Sequence, residues 1–251
     1  MMDGYLLIDK PTGLTSHDVV AKIRRILRQA KSPEPRVHSK KELSAFSSQL
    51  SARAPKVRVG HTGTLDPLAS GLLILVLGSY TKRAGEFSKL DKTYEVELTL
   101  GFTSKTGDSE GPIEPFDFAQ GKPSPQETEK ILKSFVGEVL QIPHAHSAVK
   151  VGGQRAYKLA RAGKEVKIEP RKVRIYDIRN TKYEYPKLWF TTTVSSGTYI
   201  RSLAEDIGQK LGTGAYLSSL RRTSIGKYDV GQVIPVEAID RKSIERSIRS
   251  L

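Results

Sequence analysis

The spacing of apolar positions changes along the chain and predicts its elements. Tyr5 to Asp9 is a short, nearly continuous apolar run that reads as a strand, followed by the turn Lys10-Pro11-Thr12-Gly13. Thr15-Ser16-His17-Asp18 offers a helix start, after which Val19, Val20, Ile23, Ile26 and Leu27 form a stripe at helical spacing. The pattern then dissolves. Residues 29–56 are rich in Ser, Lys, Ala and Pro, without apolar period, and read as a long basic loop or disordered insert. Leu72 to Leu77 is an unbroken apolar run, a buried element whose type, strand or helix, periodicity leaves open. Thr93 to Gly101 alternates as a strand, and the proline-rich stretch Gly111 to Pro125 reads as a loop. Pro125 to Phe135 reads as a helix opened by Ser124, and Arg155 to Ala162 as a shorter one. Val173 to Tyr185 and Leu188 to Ser195 read as a hairpin broken at Tyr185-Pro186-Lys187. Ile200 to Leu211 reads as a helix and Ala215 to Leu220 as a second helical piece. Strands and helices interspersed without a βαβ repeat favour an α+β fold with a mixed, mostly antiparallel sheet.

Composition narrows the function classes. The 251 residues contain no cysteine, which excludes disulfides, thiolate metal sites and cysteine nucleophiles. Leu72 to Leu77 is far too short to span a membrane, and MMDGYLLIDKP lacks the basic and apolar regions of a signal peptide, so a cytoplasmic location is expected. Forty-one Lys and Arg against 27 Asp and Glu leave a net charge of +14. That charge is segregated. Residues 21–58 hold eleven basic and two acidic side chains, residues 150–182 eleven and three, and residues 83–149 seven and eleven. One basic surface rather than uniform solubilisation follows from this, and it fits a polyanionic partner, RNA or DNA.

Four segments carry the candidate chemistry: DGYLLIDKPTGLTS from Asp3, VGHTGTLDPLASGLLILVLGSYTK from Val59, SAVKVGGQRAYKLAR from Ser147, and SSGTYIRSLAEDIGQKLGTGAYLSSLRR from Ser195. In Gly60-His61-Thr62-Gly63-Thr64-Leu65-Asp66-Pro67, the glycines allow close backbone approach and Pro67 holds Asp66 extended, so the carboxylate projects from a loop. The octapeptide alone reads equally as a turn aspartate capping a following helix. Taken together and in this order, the segments resemble the TruB family of tRNA pseudouridine synthases along nearly the whole chain, outside the two loose stretches.

The resemblance implies a pseudouridine synthase fold with flanking helices, and a thumb over about residues 124–165 that grips RNA. It implies isomerisation of uridine, at position 55 in the T loop of tRNA, with the uridine flipped out and with no cofactor or metal. Asp66 is the implied catalytic residue; whether it attacks the ring, attacks the ribose carbon or first removes a ribose proton stays open. By the same resemblance Arg201 is its counter-charge, Tyr94 stacks on the base, Tyr199 lies near base and sugar, Leu220 is an apolar wall, Lys10 builds the pocket floor, and His61 fills the space the uridine leaves. Lys150, Arg155, Lys158 and Arg161 are implied phosphate contacts. His144 and His146 form an H-x-H pair with no third ligand nearby, too little for a metal site.

The chain departs from the family in two ways. It ends about where the catalytic domain should, leaving no room for the usual C-terminal PUA domain, so residues 1–251 are expected to form one catalytic domain. Residues 29–56 are also longer than in relatives, either a phosphate-binding arm or a neutral insertion. The expected partner is the T stem-loop of tRNA, without guide RNA, and the expected state a monomer. A guide-dependent relative of the dyskerin type and a tRNA-folding factor with incidental catalysis are the competing readings.

Overall fold

Two elements near the start show why the chain folds as it does. Strand β1 (Gly4–Lys10) is buried along almost its whole length, which is why its apolar run is continuous rather than alternating. Helix α1 (Ser16–Gln29) opens with a reciprocal box: the Thr15 N–H donates to Asp18 Oδ2 at 2.9 Å and the Asp18 N–H to Thr15 Oγ1 at 3.1 Å. The computed structural model describes residues 2–29, 57–117, 121–144, 147, 149–156, 159, 162–163 and 166–251. The remaining strands are β2 (Val59–His61), β3 (Ser70–Leu77), β4 (Lys92–Leu100), β5 (Phe102–Ser104), β6 (Ile113–Pro115), β7 (Gly137–Gln141) and β8 (Lys150–Val151). They continue with β9 (Gln154–Arg155), β10 (Arg171–Glu184), β11 (Lys187–Val194), β12 (Ala215–Ile225), β13 (Tyr228–Asp229) and β14 (Ile234–Pro235). The other helices are α2 (Ala84–Ser88), α3 (Pro125–Lys133), α4 (Ile200–Lys210) and α5 (Arg241–Ser247).

The chain packs as two compact units, one of Met1–Pro67, Leu73–Ser88 and Gly231–Leu251, the other of Leu68–Leu72 and Lys89–Val230. In the first, β1 lies between β14, parallel to it, and β3, and β2 pairs antiparallel with β3. Val19, Val20, Ile23 and Leu27 of α1 pack into one core with Leu6, Ile8, Leu73, Leu75, Leu77, Val236 and Ile244. The helical stripe read from the sequence is the buried face, and the run at Leu72 to Leu77 is a strand.

In the second unit the order is β12-β4-β11-β10-β7, every neighbour antiparallel. The start of β3 adds a parallel pairing with β12. The mixed, mostly antiparallel α+β character read from the sequence is the one found. Helix α3 is capped by Ser124 as expected, its hydroxyl accepting the Glu127 N–H at 3.2 Å.

Three elements differ from expectation. Ala215 to Leu220 is not helical but the first half of β12. Irregularities between Leu217 and Ser219 and between Arg222 and Ser224 break the alternation, so the buried positions are Ala215, Leu217, Leu220, Arg222 and Ile225. That mixed spacing imitates a helical stripe. The stretch read as a loop from Gly111 contains β6, paired with β5. Arg155 closes a two-stranded hairpin with Lys150 rather than opening a helix; of the helix expected there, Ala156 and Leu159 are helical, while residues 157, 158, 160 and 161 lie outside the described residues. Among the described residues no helix is long and apolar enough to cross a membrane.

Candidate active site

Asp66 stands half-buried on the loop between β2 and β3, and one distant segment fixes the backbone on both sides of it. The Ser16 hydroxyl accepts the Leu65 N–H at 2.8 Å and donates to the Leu65 carbonyl at 3.1 Å. The Gly13 N–H donates to the Pro67 carbonyl at 2.8 Å. The segments D-K-P-x-G-x-T-S and G-T-L-D-P are therefore one device, a turn that holds the backbone of both neighbours of the carboxylate. Lys10 closes that turn from within: it is fully buried, and its ammonium donates to the carbonyls of Pro11 at 2.9 Å and Leu14 at 2.6 Å. Those partners are what a buried cation requires. Thr62 ties the other end of the loop to the Ile74 carbonyl through its N–H at 3.1 Å. The element after Asp66 is a strand, which removes the helix-capping reading. His61, half-buried, ends β2 opposite Leu75.

The second unit holds the aromatic and cationic candidates. Tyr94 lies on β4 with Thr192 and Arg222 as its direct partners on either side, and Leu220 faces Val96 one step along. Because alternate residues share a face, Tyr94, Leu220 and Arg222 point to the same side of the sheet, and all three are buried. Tyr199 precedes α4, held by both ends of one side chain: its N–H donates to Gln141 Oε1 at 2.7 Å and its carbonyl accepts Gln141 Nε2 at 3.0 Å. It also packs on a small core of Val149, Ala156 and Ile168. Arg201, buried in the first turn of α4, pairs with Asp108 at 3.3 Å and donates to the Thr106 carbonyl at 2.9 Å. Asp108 in turn accepts the Thr106 hydroxyl at 2.6 Å and the Glu110 N–H at 3.1 Å. Helix α4 can approach β12 only because position 208 is glycine: a Cβ there would lie 2.2 Å from the Ala215 nitrogen.

Comparison with known proteins decides the family. A profile described as TruB family pseudouridylate synthase, N-terminal domain, matches residues 50–200, and one described as tRNA pseudouridylate synthase B C-terminal domain matches residues 201–249. The chain is 37% identical to tRNA pseudouridine synthase B of Opitutus terrae over 95% of its own length and 88% of that protein's. It is 39% identical to the Burkholderia mallei protein of the same name, over 95% and 70%. This chain belongs to the TruB family. Among solved structures, this TruB-family synthase resembles a Cbf5-Nop10-Gar1 complex with a TM-score of 0.63 and 28% identity, covering 94% of this chain and 53% of that one. It resembles an H/ACA RNP bound to a substrate RNA containing 2'-deoxyuridine with a TM-score of 0.62 and 26% identity, covering 94% and 52%. The chain thus spans about half the length of those two solved chains.

Of the residues expected to serve a TruB-family enzyme, Asp66, His61 and Lys10 fall in the first compact unit, and Tyr94, Tyr199, Arg201 and Leu220 in the second. Lys150 and Arg155 form a backbone pair in the β8–β9 hairpin. Their side chains, and Lys158, Arg161, His146 and the insert from position 30, lie outside the described residues. His144 Nε2 is 3.3 Å from Glu205 Oε1. Sequence reasoning missed Asp108, which in T-G-D-S-E-G looks like an ordinary turn residue. It also missed Gln141, whose signal is a glutamine on the inward-facing side of an alternating strand, and the clamp role of Ser16, hidden inside a good helix start.

Proposed function

We propose that this chain isomerises a uridine of tRNA, position 55 in the T loop, to pseudouridine, with Asp66 as the reacting carboxylate and the base flipped out of the loop. The observation that carries the reading is the clamp around Asp66: three hydrogen bonds from residues 13 and 16 to the backbone of Leu65 and Pro67 fix the residues on either side of the carboxylate. Such pre-organisation suits a group that must meet one ribose or pyrimidine atom. The reaction balances without a co-reactant. The C1′–N1 bond breaks, C1′ joins C5, and the C5 proton is lost while N1 gains one, so no electrons enter or leave.

A flipped uracil loses its stacking neighbours, and the ring of Tyr94 replaces part of that energy, about 1–3 kcal/mol per stacked base. Tyr199 lies near base and sugar, Leu220 supplies an apolar wall, and Arg201, seated on Asp108, is the fixed cation of the reaction. His61 occupies the space left in the loop, and Lys150, Arg155, Lys158 and Arg161 meet phosphates. The test is to incubate a T-arm stem-loop transcript with this protein alone and map pseudouridine. Product at position 55 and at no other uridine supports the reading; no product unless a guide RNA is added would overturn it in favour of a guide-dependent activity.

A further inference from the structure

We propose that Arg246, Arg249 and Ser247, with Gln232 as a brace, form a phosphate site that takes a backbone phosphodiester of the RNA substrate. None of these residues belongs to the candidate active site. They line a cavity of about 170 Å³ floored by Leu7 and Ile234.

The site is built rather than incidental. Arg249 is fixed at its backbone, its N–H donating to the Tyr5 carbonyl at 3.0 Å and its carbonyl accepting the Tyr5 N–H at 2.9 Å. Its guanidinium is fixed too, donating to Gln232 Oε1 at 3.1 Å and to the Gln232 carbonyl at 3.3 Å. Those bonds use one hydrogen on each terminal nitrogen, and the remaining hydrogens are left for a ligand. A braced arginine loses little freedom when an oxyanion arrives and presents the fork that phosphate oxygens fit. Arg246 adds a second guanidinium, whose Nε donates to the Lys242 carbonyl at 3.3 Å. Among the described residues, no carboxylate lines the cavity. Of the nearby acids, Glu245 pairs with Arg241 at 2.7 Å, while Asp240 has its pKa lowered first by the Ser243 N–H it accepts at 2.7 Å and then by the charges of Arg246 and Lys242. Two guanidiniums beside a hydroxyl donor favour an anion over a neutral ligand, and their forked donors fit phosphate oxygens. The choice of RNA as its source rests on the reading that this chain acts on tRNA.

The experiment compares the full-length protein with its R246Q/R249Q variant, measuring binding of a full tRNA transcript from about 50 to 300 mM salt. Each lost phosphate contact removes about 0.7–0.9 from the slope of log K against log salt. The slope should become shallower by about 0.7–1.8, with affinity several-fold weaker at 100 mM salt. R246K/R249K should restore most of the slope, and thermal unfolding and single-turnover rate at saturating protein should match the wild type in both variants. An unchanged slope in R246Q/R249Q overturns the proposal. A parallel calorimetric titration with inorganic phosphate separates the sources: phosphate binding lost in R246Q/R249Q, alongside an unchanged RNA slope, would assign the cavity to a free phosphate and overturn the RNA assignment. Absence of pseudouridine formation by the wild type would overturn the proposed function instead, and that readout is independent of the salt slope.

Discussion

Arg201 and Asp108 are 8% and 2% exposed, so neither charge is solvated well enough to stand alone. Asp108→Asn keeps an acceptor for Thr106 and Glu110 but leaves Arg201 facing a neutral amide. The expected cost is about 3 kcal/mol in urea unfolding, together with at least a tenfold fall in single-turnover rate and a smaller change in RNA affinity. A stable variant with normal rate would show that Arg201 is placed by other groups. Lys92 makes a second residue-level claim. Burial, then the neighbouring Arg222, push its pKa down from 10.5 to about 8. Between those values the unfolded chain holds a proton that the folded chain has shed, so stability rises with pH across that window; below about 8 both states are protonated and the folded state carries the burial penalty. Urea midpoints measured at pH 7.5 and 9.5 should therefore shift upward more in the wild type than in Lys92→Met. Parallel shifts would contradict the assignment.

At the scale of elements, the clamp on Asp66 depends on where α1 begins. The Thr15–Asp18 box starts the helix at Ser16 and so turns a first-turn hydroxyl toward the Leu65 backbone. Ser16→Ala removes both bonds and leaves the buried Leu65 amide without that acceptor, a cost of about 1–3 kcal/mol. The single-turnover rate should fall at least tenfold, with RNA affinity unchanged within about threefold, and Ser16→Thr should recover part of it; full activity in Ser16→Ala would mean that the clamp does not position Asp66. The elements legible in the sequence include α1, β4 and α4, which have one clean period, and β1 and the β10–β11 hairpin, which an apolar run and turn residues delimit. Strand β12 was not legible, because its two irregularities shift buried residues between the phases of a pleat. The short elements β2, β5 and β6 hold too few residues for any period to show, and only pairing with distant strands reveals them.

For the whole molecule, the order of the motifs revealed more than their individual chemistry. Asp66 stands out in the sequence because three further segments accompany it, and the structure gives a physical reason for one of those associations: residues 13–16 and 65–67 are bonded to each other. Asp108 and Gln141 were not legible, because a buried partner leaves no pattern in its own neighbourhood; what marks it is the residue it holds. The segregation of charge, with excess cations over residues 21–58 and 150–182, pointed to a polyanion without saying which one. The central claim is that Asp66 does the chemistry while other residues hold the RNA. It is tested most directly by measuring pseudouridine formed in a T-arm RNA in one turnover by wild type and Asp66→Asn at saturating protein, with RNA affinity measured alongside. The account predicts no detectable product from Asp66→Asn and an affinity within about threefold of wild type. Product formed by Asp66→Asn at a rate near that of the wild type would contradict it.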